Sequence, residues 1–194
     1  PFKEDLSIDY HSIDKYINHL YQGGARLFYV MAYNSRYSQL DYKEILELNK
    51  FCIKCVKNLD NQNFIIVGDP IHCSTEESLN FTLSAKENGG DAISLIMREK
   101  YFSDEQVLSH FSYIGSKSDF PIVIHEMPFL SGYDGTQINW PKSLILRLKE
   151  LKQVIAIKED AKNLNIAKLV LNLEPEIRTI FAGTKNTFLP LKKY

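Results

Sequence analysis

The fold of this chain turns on the stretch Gln153-Val154-Ile155-Ala156-Ile157-Lys158-Glu159-Asp160. Four apolar residues, three of them β-branched, run without alternation into a lysine and two acids. Such a run predicts a strand buried on both faces, as in a parallel sheet covered by helices. A lysine at the carboxyl end of that strand sits where α/β folds gather their chemistry. Two readings of Lys158 follow. Desolvation would disfavour the ammonium, lower its pKa from a reference of about 10.4 and leave an amine able to form a Schiff base. Alternatively the side chain snorkels out of the strand end and pairs with Glu159 or Asp160.

Outward from this strand the same unit repeats. Apolar runs begin near residues 26, 64, 92, 121, 154 and 177, a spacing of about 30 residues that matches one strand plus one helix. Helix starts are marked between them. Asp9 precedes a helix from Tyr10 to about Gln22, with Ile13, Tyr16, Ile17, Leu20 and Tyr21 on its apolar face and Gly23-Gly24 as its stop. Asp41 opens the next helix. Ser74-Thr75-Glu76-Glu77 carries a capping-box pattern, and Ser103-Asp104-Glu105-Gln106 opens a helix running to Gly115. Pro141 stands at the start of a further helix, in the first-turn position proline favours. Residues 1–9 read as an extended lead-in, residues 33–40 as a polar loop, and residues 187–194 as the beginning of one more helix.

This repetition predicts a parallel sheet, either a barrel or a doubly wound sheet. No G-x-G-x-x-G and no G-x-x-x-x-G-K-[ST] follows any strand, which counts against the nucleotide-binding versions. The predicted fold is α/β, a (β/α)8 TIM barrel with strands one and eight missing, so that residues 1–194 form a single incomplete barrel domain. A complete barrel takes about 250 residues, and unpaired barrel edges invite aggregation. The expectation is therefore that these residues belong to a longer chain.

Composition narrows the partners. The chain has 194 residues, 23 basic and 24 acidic, for a net charge of −1. Charges are interspersed, so there is no basic footprint for nucleic acid and none for an anionic membrane. No apolar run reaches the roughly 20 residues that span a bilayer, and residues 1–9 do not resemble a signal peptide. A cytoplasmic protein with a small-molecule or protein partner is expected. Cys52 and Cys55 form a C-x-x-C, but they recur at helical spacing with Ile45, Leu48 and Val56. With no second such pair and no suitably spaced histidines, they read as small core residues, and no metal site is predicted.

The motifs together resemble the dihydrodipicolinate synthase and N-acetylneuraminate lyase family of Schiff-base aldolases, over essentially the whole chain. Ser7-Ile8-Asp9-Tyr10, Tyr21-Gln22-Gly23-Gly24-Ala25 and Leu40-Asp41-Tyr42-Lys43-Glu44 resemble its early segments. Pro121-Ile122-Val123-Ile124-His125-Glu126-Met127-Pro128 is similar to its strand five, and Ile155-Ala156-Ile157-Lys158-Glu159 to its strand six. Phe181-Ala182-Gly183, with Phe188-Leu189-Pro190-Leu191, is similar to its strand-seven segment and the helix after it. The resemblance implies that Lys158 is the Schiff-base lysine, that the substrate is pyruvate or a related 2-keto acid, and that no metal or organic cofactor is needed. It also implies a homo-oligomer, dimer or tetramer.

Three departures from the family pattern shape the expected activity. The family's Gly-Thr-Thr-Gly-Glu loop, whose hydroxyl and backbone amides hold the keto-acid carboxylate, is replaced by Ala32-Tyr33-Asn34-Ser35-Arg36. The glycines that let backbone approach a ligand are gone, leaving Tyr33 and Asn34 as hydrogen-bond donors and Arg36 as a bidentate carboxylate partner. Gly183 is the further substrate-binding position. His125 replaces the family's proton-shuttling tyrosine, and an imidazole with an unperturbed pKa near 6.5 is a competent acid or base. Phe129-Leu130-Ser131-Gly132 stands where the family has an arginine, removing the anchor for an acidic substrate tail. Asp69, Glu126 and Tyr133 are further polar candidates near strand ends. The expected function is a divergent class I aldolase or lyase acting on a 2-keto acid, distinct from authentic dihydrodipicolinate synthase. The alternative is an inactive barrel homologue with a binding or regulatory role.

Overall fold

A computed structural model describes residues 1–32, 35, 37–70, 74–96, 103–126, 140–160 and 164–181. Among these residues six strands and six α-helices alternate: α1 (Tyr10–Gln22), β1 (Leu27–Val30), α2 (Tyr42–Leu59), β2 (Phe64–Gly68), α3 (Thr75–Glu87), β3 (Ala92–Ile96), α4 (Asp104–Ser118), β4 (Ile122–Glu126), α5 (Lys142–Lys149), β5 (Val154–Glu159), α6 (Leu164–Leu171) and β6 (Arg178–Phe181). The caps explain the boundaries. Asp9 accepts from the Ser12 backbone N–H, and Asp41, Ser74 and Ser103 each close a reciprocal capping box with Glu44, Glu77 and Gln106.

All five strand pairings are parallel, and the strands lie in the order β1-β2-β3-β4-β5-β6. A doubly wound sheet reverses direction at a switch point. No reversal occurs among the described strands, which counts against the doubly wound alternative. In a flat sheet β1 and β5 would lie four spacings apart, about 19 Å. Yet Lys158 Nζ on β5 sits 5.6 Å from the centre of the Tyr29 ring on β1. The six strands therefore curl into half of a barrel, bringing distant strands face to face across its interior.

The two sides of the sheet are packed differently. Phe28, Ile65, Val67, Ile93, Leu95, Ile122, Ile124 and Ile157 point outward and join helix residues such as Cys52, Ile53, Phe111 and Leu144 in the main core. Each such side chain contributes about 1.5–3 kcal/mol through burial. Ile66, Ala92, Val123 and Ala156 point inward as a smaller cluster, against Tyr29, Ile155 and Ile180.

Several local expectations are corrected. Residues 1–9 fold back through a bridge between Phe2 and Ile8 and are not extended. Tyr16 is 62% exposed and leaves the apolar face of α1. β1 lies at the edge of the described sheet, so Leu27 is exposed where a buried strand was predicted. Within the predicted polar loop a short 3-10 turn, Tyr37–Gln39, buries Tyr37. Gly115 is internal to α4, which continues to Ser118. A β-carbon there would lie 3.1 Å from Gln153 Oε1 and 3.3 Å from Ile122 Cδ1, so close packing, not helix termination, suits glycine. Pro141 is the N-cap of α5, one position before the first turn. The helix predicted at 187–194 lies outside the described residues.

Candidate active site

The site is set by one irregularity. Ile122 pairs with Val154, but Val123 pairs with Ala156, so Ile155 is an extra residue in β5. Val154 packs with the outer core, while Ala156 joins the inner cluster. Plain alternation from Val154 would place Lys158 on the outer side with it, since the two are four residues apart. The bulge reverses that parity. Lys158 faces inward, in register with His125 on β4 and Ile180 on β6.

Lys158 Nζ and His125 Nε2 are 2.6 Å apart. Either an ammonium donates to the ring nitrogen, or a neutral amine accepts from Nε2–H. His125 is fully buried. Burial, followed by the charge of Lys158, pushes its pKa down to about 3, so its imidazole is neutral at ordinary pH. Lys158 is half-buried, and desolvation lowers its pKa against the opposing pull of Asp160. Among the described residues Lys158 makes no ion pair with Glu159 or Asp160; the histidine takes that place.

Tyr29 completes the described surroundings of the lysine, and sequence reasoning did not pick it out. It follows Phe28 in the apolar run of β1, and nothing local indicates that it reaches β5. Its ring lies over Gly68: Tyr29 Cε1 is 3.5 Å from where a glycine β-carbon would stand. Its hydroxyl is buried and has no hydrogen-bond partner among the described residues. Burial raises its pKa; the Ser94 hydroxyl is near enough to oppose the rise, but the pair misses hydrogen-bond geometry and Ser94 Oγ is equally unpartnered.

Three other strand-end acids belong to the outer side. Asp69 accepts from Ser78 Oγ at 2.9 Å and from the Ile96 backbone at 3.2 Å, tying β2 to α3 and β3. Glu126 and Glu159 pair in register, one position past His125 and Lys158, on the opposite face. Glu126 Oε1 accepts from the Trp140 backbone N–H at 3.2 Å. Burial, with Glu159 and Asp160 adding to it, pushes its pKa up to about 7. Tyr33, Asn34, Arg36, Tyr133 and Gly183 lie outside the described residues. Among the described residues no three His, Cys, Asp or Glu side chains gather to hold a metal, and no helix is long and apolar enough to cross a membrane. Cys52 and Cys55 are both free and packed in or against the main core.

A half-barrel of consecutive parallel strands, with an inward lysine at the carboxyl end of β5, defines a (β/α)-barrel protein of the lysine-bearing type. The sequence model of the dihydrodipicolinate synthetase family matches residues 1–194, and the chain belongs to that family. The 4-hydroxy-tetrahydrodipicolinate synthase of Anaplasma marginale is 26% identical over 192 residues, covering 97% of this chain and 60% of its own length. Among solved structures, Bacillus anthracis dihydrodipicolinate synthase superposes with a TM-score of 0.84 at 22% identity, over 100% of this chain and 63% of that one. The dihydrodipicolinate synthase of Acinetobacter baumannii, solved in complex with pyruvate, gives a TM-score of 0.81 at 21% identity, over 93% of this chain and 60% of that one. The chain thus spans about 60% of the length of these relatives.

Proposed function

We propose that the protein carrying this chain is a class I aldolase or lyase that binds pyruvate or a related 2-keto acid as an imine. Lys158 is the nucleophile. Its amine adds to the C2 carbonyl, the oxygen leaves as water, and a carbon–nitrogen double bond remains. His125, neutral and in contact with Nζ, carries protons to and from the reacting atoms. Tyr33, Asn34 and Arg36 hold the keto-acid carboxylate, with Gly183 at the same site. A cytoplasmic homo-oligomer, dimer or tetramer, belongs to this reading.

What supports it above all is the 2.6 Å contact between Lys158 Nζ and His125 Nε2 at the carboxyl ends of adjacent strands. Family membership and the pyruvate bound by the Acinetobacter relative point the same way. The altered residues 32–36 and the missing arginine favour a reaction other than authentic dihydrodipicolinate synthesis. They also support a second reading, a barrel that binds without turnover. Incubation with pyruvate and borohydride, followed by peptide mass spectrometry, tests the proposal. A reduced adduct on Lys158 is expected. No adduct with pyruvate or with a panel of other 2-keto acids would overturn it in favour of the binding reading.

A further inference from the structure

Tyr29 is held where it is at some cost. Its hydroxyl is buried without a partner among the described residues, and a phenylalanine would avoid that penalty. The ring packs beside Gly68, with Cε1 3.5 Å from where a β-carbon would stand, and the curl of the sheet turns the ring face toward β5. Lys158 Nζ stands 5.6 Å from the ring centroid, inside the distance of about 6 Å at which an aromatic face attracts a cation.

The other groups facing Lys158 do not duplicate this role. His125 on β4 is a neutral ring in contact with Nζ, and Asp160 lies just beyond β5. Ile96 on β3 and Ile180 on β6, in register on either side of the His125–Lys158 pair, are apolar. Asp69, whose charge reaches Tyr29, is engaged with Ser78 and the β3 backbone. The aromatic face is therefore the described surface from the opposite wall that meets the lysine charge.

We propose that Tyr29 is a positioning residue whose ring face holds the positive charge of Lys158 in place, first as the ammonium and then as the protonated imine. The ammonium gives up one proton before the free amine attacks, and that proton returns as water leaves; overall, ammonium plus ketone gives protonated imine plus one water, so the charge at Nζ is the same at the start and the end. The ring faces a cation before and after the bond changes, and fixes its direction across the barrel interior. The role for the ammonium rests on geometry alone; the role for the imine rests also on the Schiff-base reading.

Competitive acetylation with acetic anhydride across a pH series, read by peptide mass spectrometry, reports the protonation of Lys158 without any keto acid. Tyr29→Leu removes the attraction for the ammonium and is expected to shift the Lys158 midpoint down by about 0.4–1.5 pH units. Tyr29→Phe keeps the ring and should leave the midpoint where it was. An unmoved midpoint in Tyr29→Leu, or equal shifts in both variants, would overturn the inference. If Tyr29→Leu does not fold, pentafluorophenylalanine at position 29 reverses the ring's charge distribution with little change of shape. It should lower the midpoint, and an unchanged midpoint would again refute the role. Borohydride trapping with pyruvate, run alongside on the parent protein, separates the two ideas: failure to trap removes the Schiff-base reading, and the acetylation result still decides Tyr29.

Discussion

Replacing Glu126 by glutamine should make the protein's stability less sensitive to pH between about 5 and 8. Glu126 is 2% exposed, keeps one oxygen on the Trp140 N–H, and leaves Oε2 without a partner among the described residues. Its carboxyl titrates near 4.5 when unfolded and at about 7 when folded, chiefly because burial disfavours the charge. A folded pKa above the unfolded one means that the native state binds more protons between those values. Stability from this group is then fully present below about pH 4.5 and is lost as pH rises through 7. Integrating the proton difference from pH 5 to 8, at about 1.36 kcal/mol per pH unit, gives a loss of about 2.5 kcal/mol. In Glu126→Gln the amide keeps an oxygen for the Trp140 N–H, carries no charge to desolvate and does not titrate. Urea denaturation of both proteins at pH 5 and pH 8 measures the difference. The parent should lose about 2–3 kcal/mol more than the variant over that interval. Parallel pH profiles for the two would refute the argument and mean that the carboxylate is solvated or neutralised when ionised.

The remaining predictions rest on separate features. Gly68→Ala would place a β-carbon 2.5 Å from the Met31 carbonyl oxygen; because backbone must shift, a loss of about 1–3 kcal/mol in denaturant unfolding is expected, and a change below about 0.5 kcal/mol would show that β1 adjusts freely. His125→Gln should slow turnover by about 10²- to 10⁴-fold in steady-state assays of any substrate found, whereas an unchanged rate removes the histidine from proton transfer. Burial pushes the Cys52 and Cys55 thiols up to about 12 and about 11. Both should therefore alkylate slowly at pH 8 in the folded protein and rapidly in urea; fast native labelling of Cys52 would contradict its place in the core.

Much of the architecture was legible in the sequence because its signals are local. Aspartate or serine at a helix start forms its bond within one turn, so Asp9, Asp41, Ser74 and Ser103 mark helices without help from the rest of the chain. Continuous apolar runs mark strands covered on both faces, and the spacing of about 30 residues marks their parallel connection. The C-x-x-C was likewise legible as core, since helical periodicity alone puts Cys52 in the main core and Cys55 at its edge. Local signals failed where packing set the answer. Gly115 looks like a helix stop, but it is a small residue under Gln153 and Ile122. Asp69 and Glu126 look like site residues by position, but parity turns them toward the helices.

The sequence by itself determined the kinds of element, their order, and that a lysine and a histidine stand at the ends of two strands. Which side those residues face was a tertiary decision. With Val154 packed outward, regular alternation would have sent Lys158 into the helix layer. One extra residue, Ile155, is accommodated opposite Ile122 and Val123, and every side chain after it changes face. The curl of the sheet then brought Tyr29 across from the far edge to meet the lysine. No pattern within β1 or β5 encodes that meeting, because it depends on how four intervening strand-to-strand steps accumulate curvature.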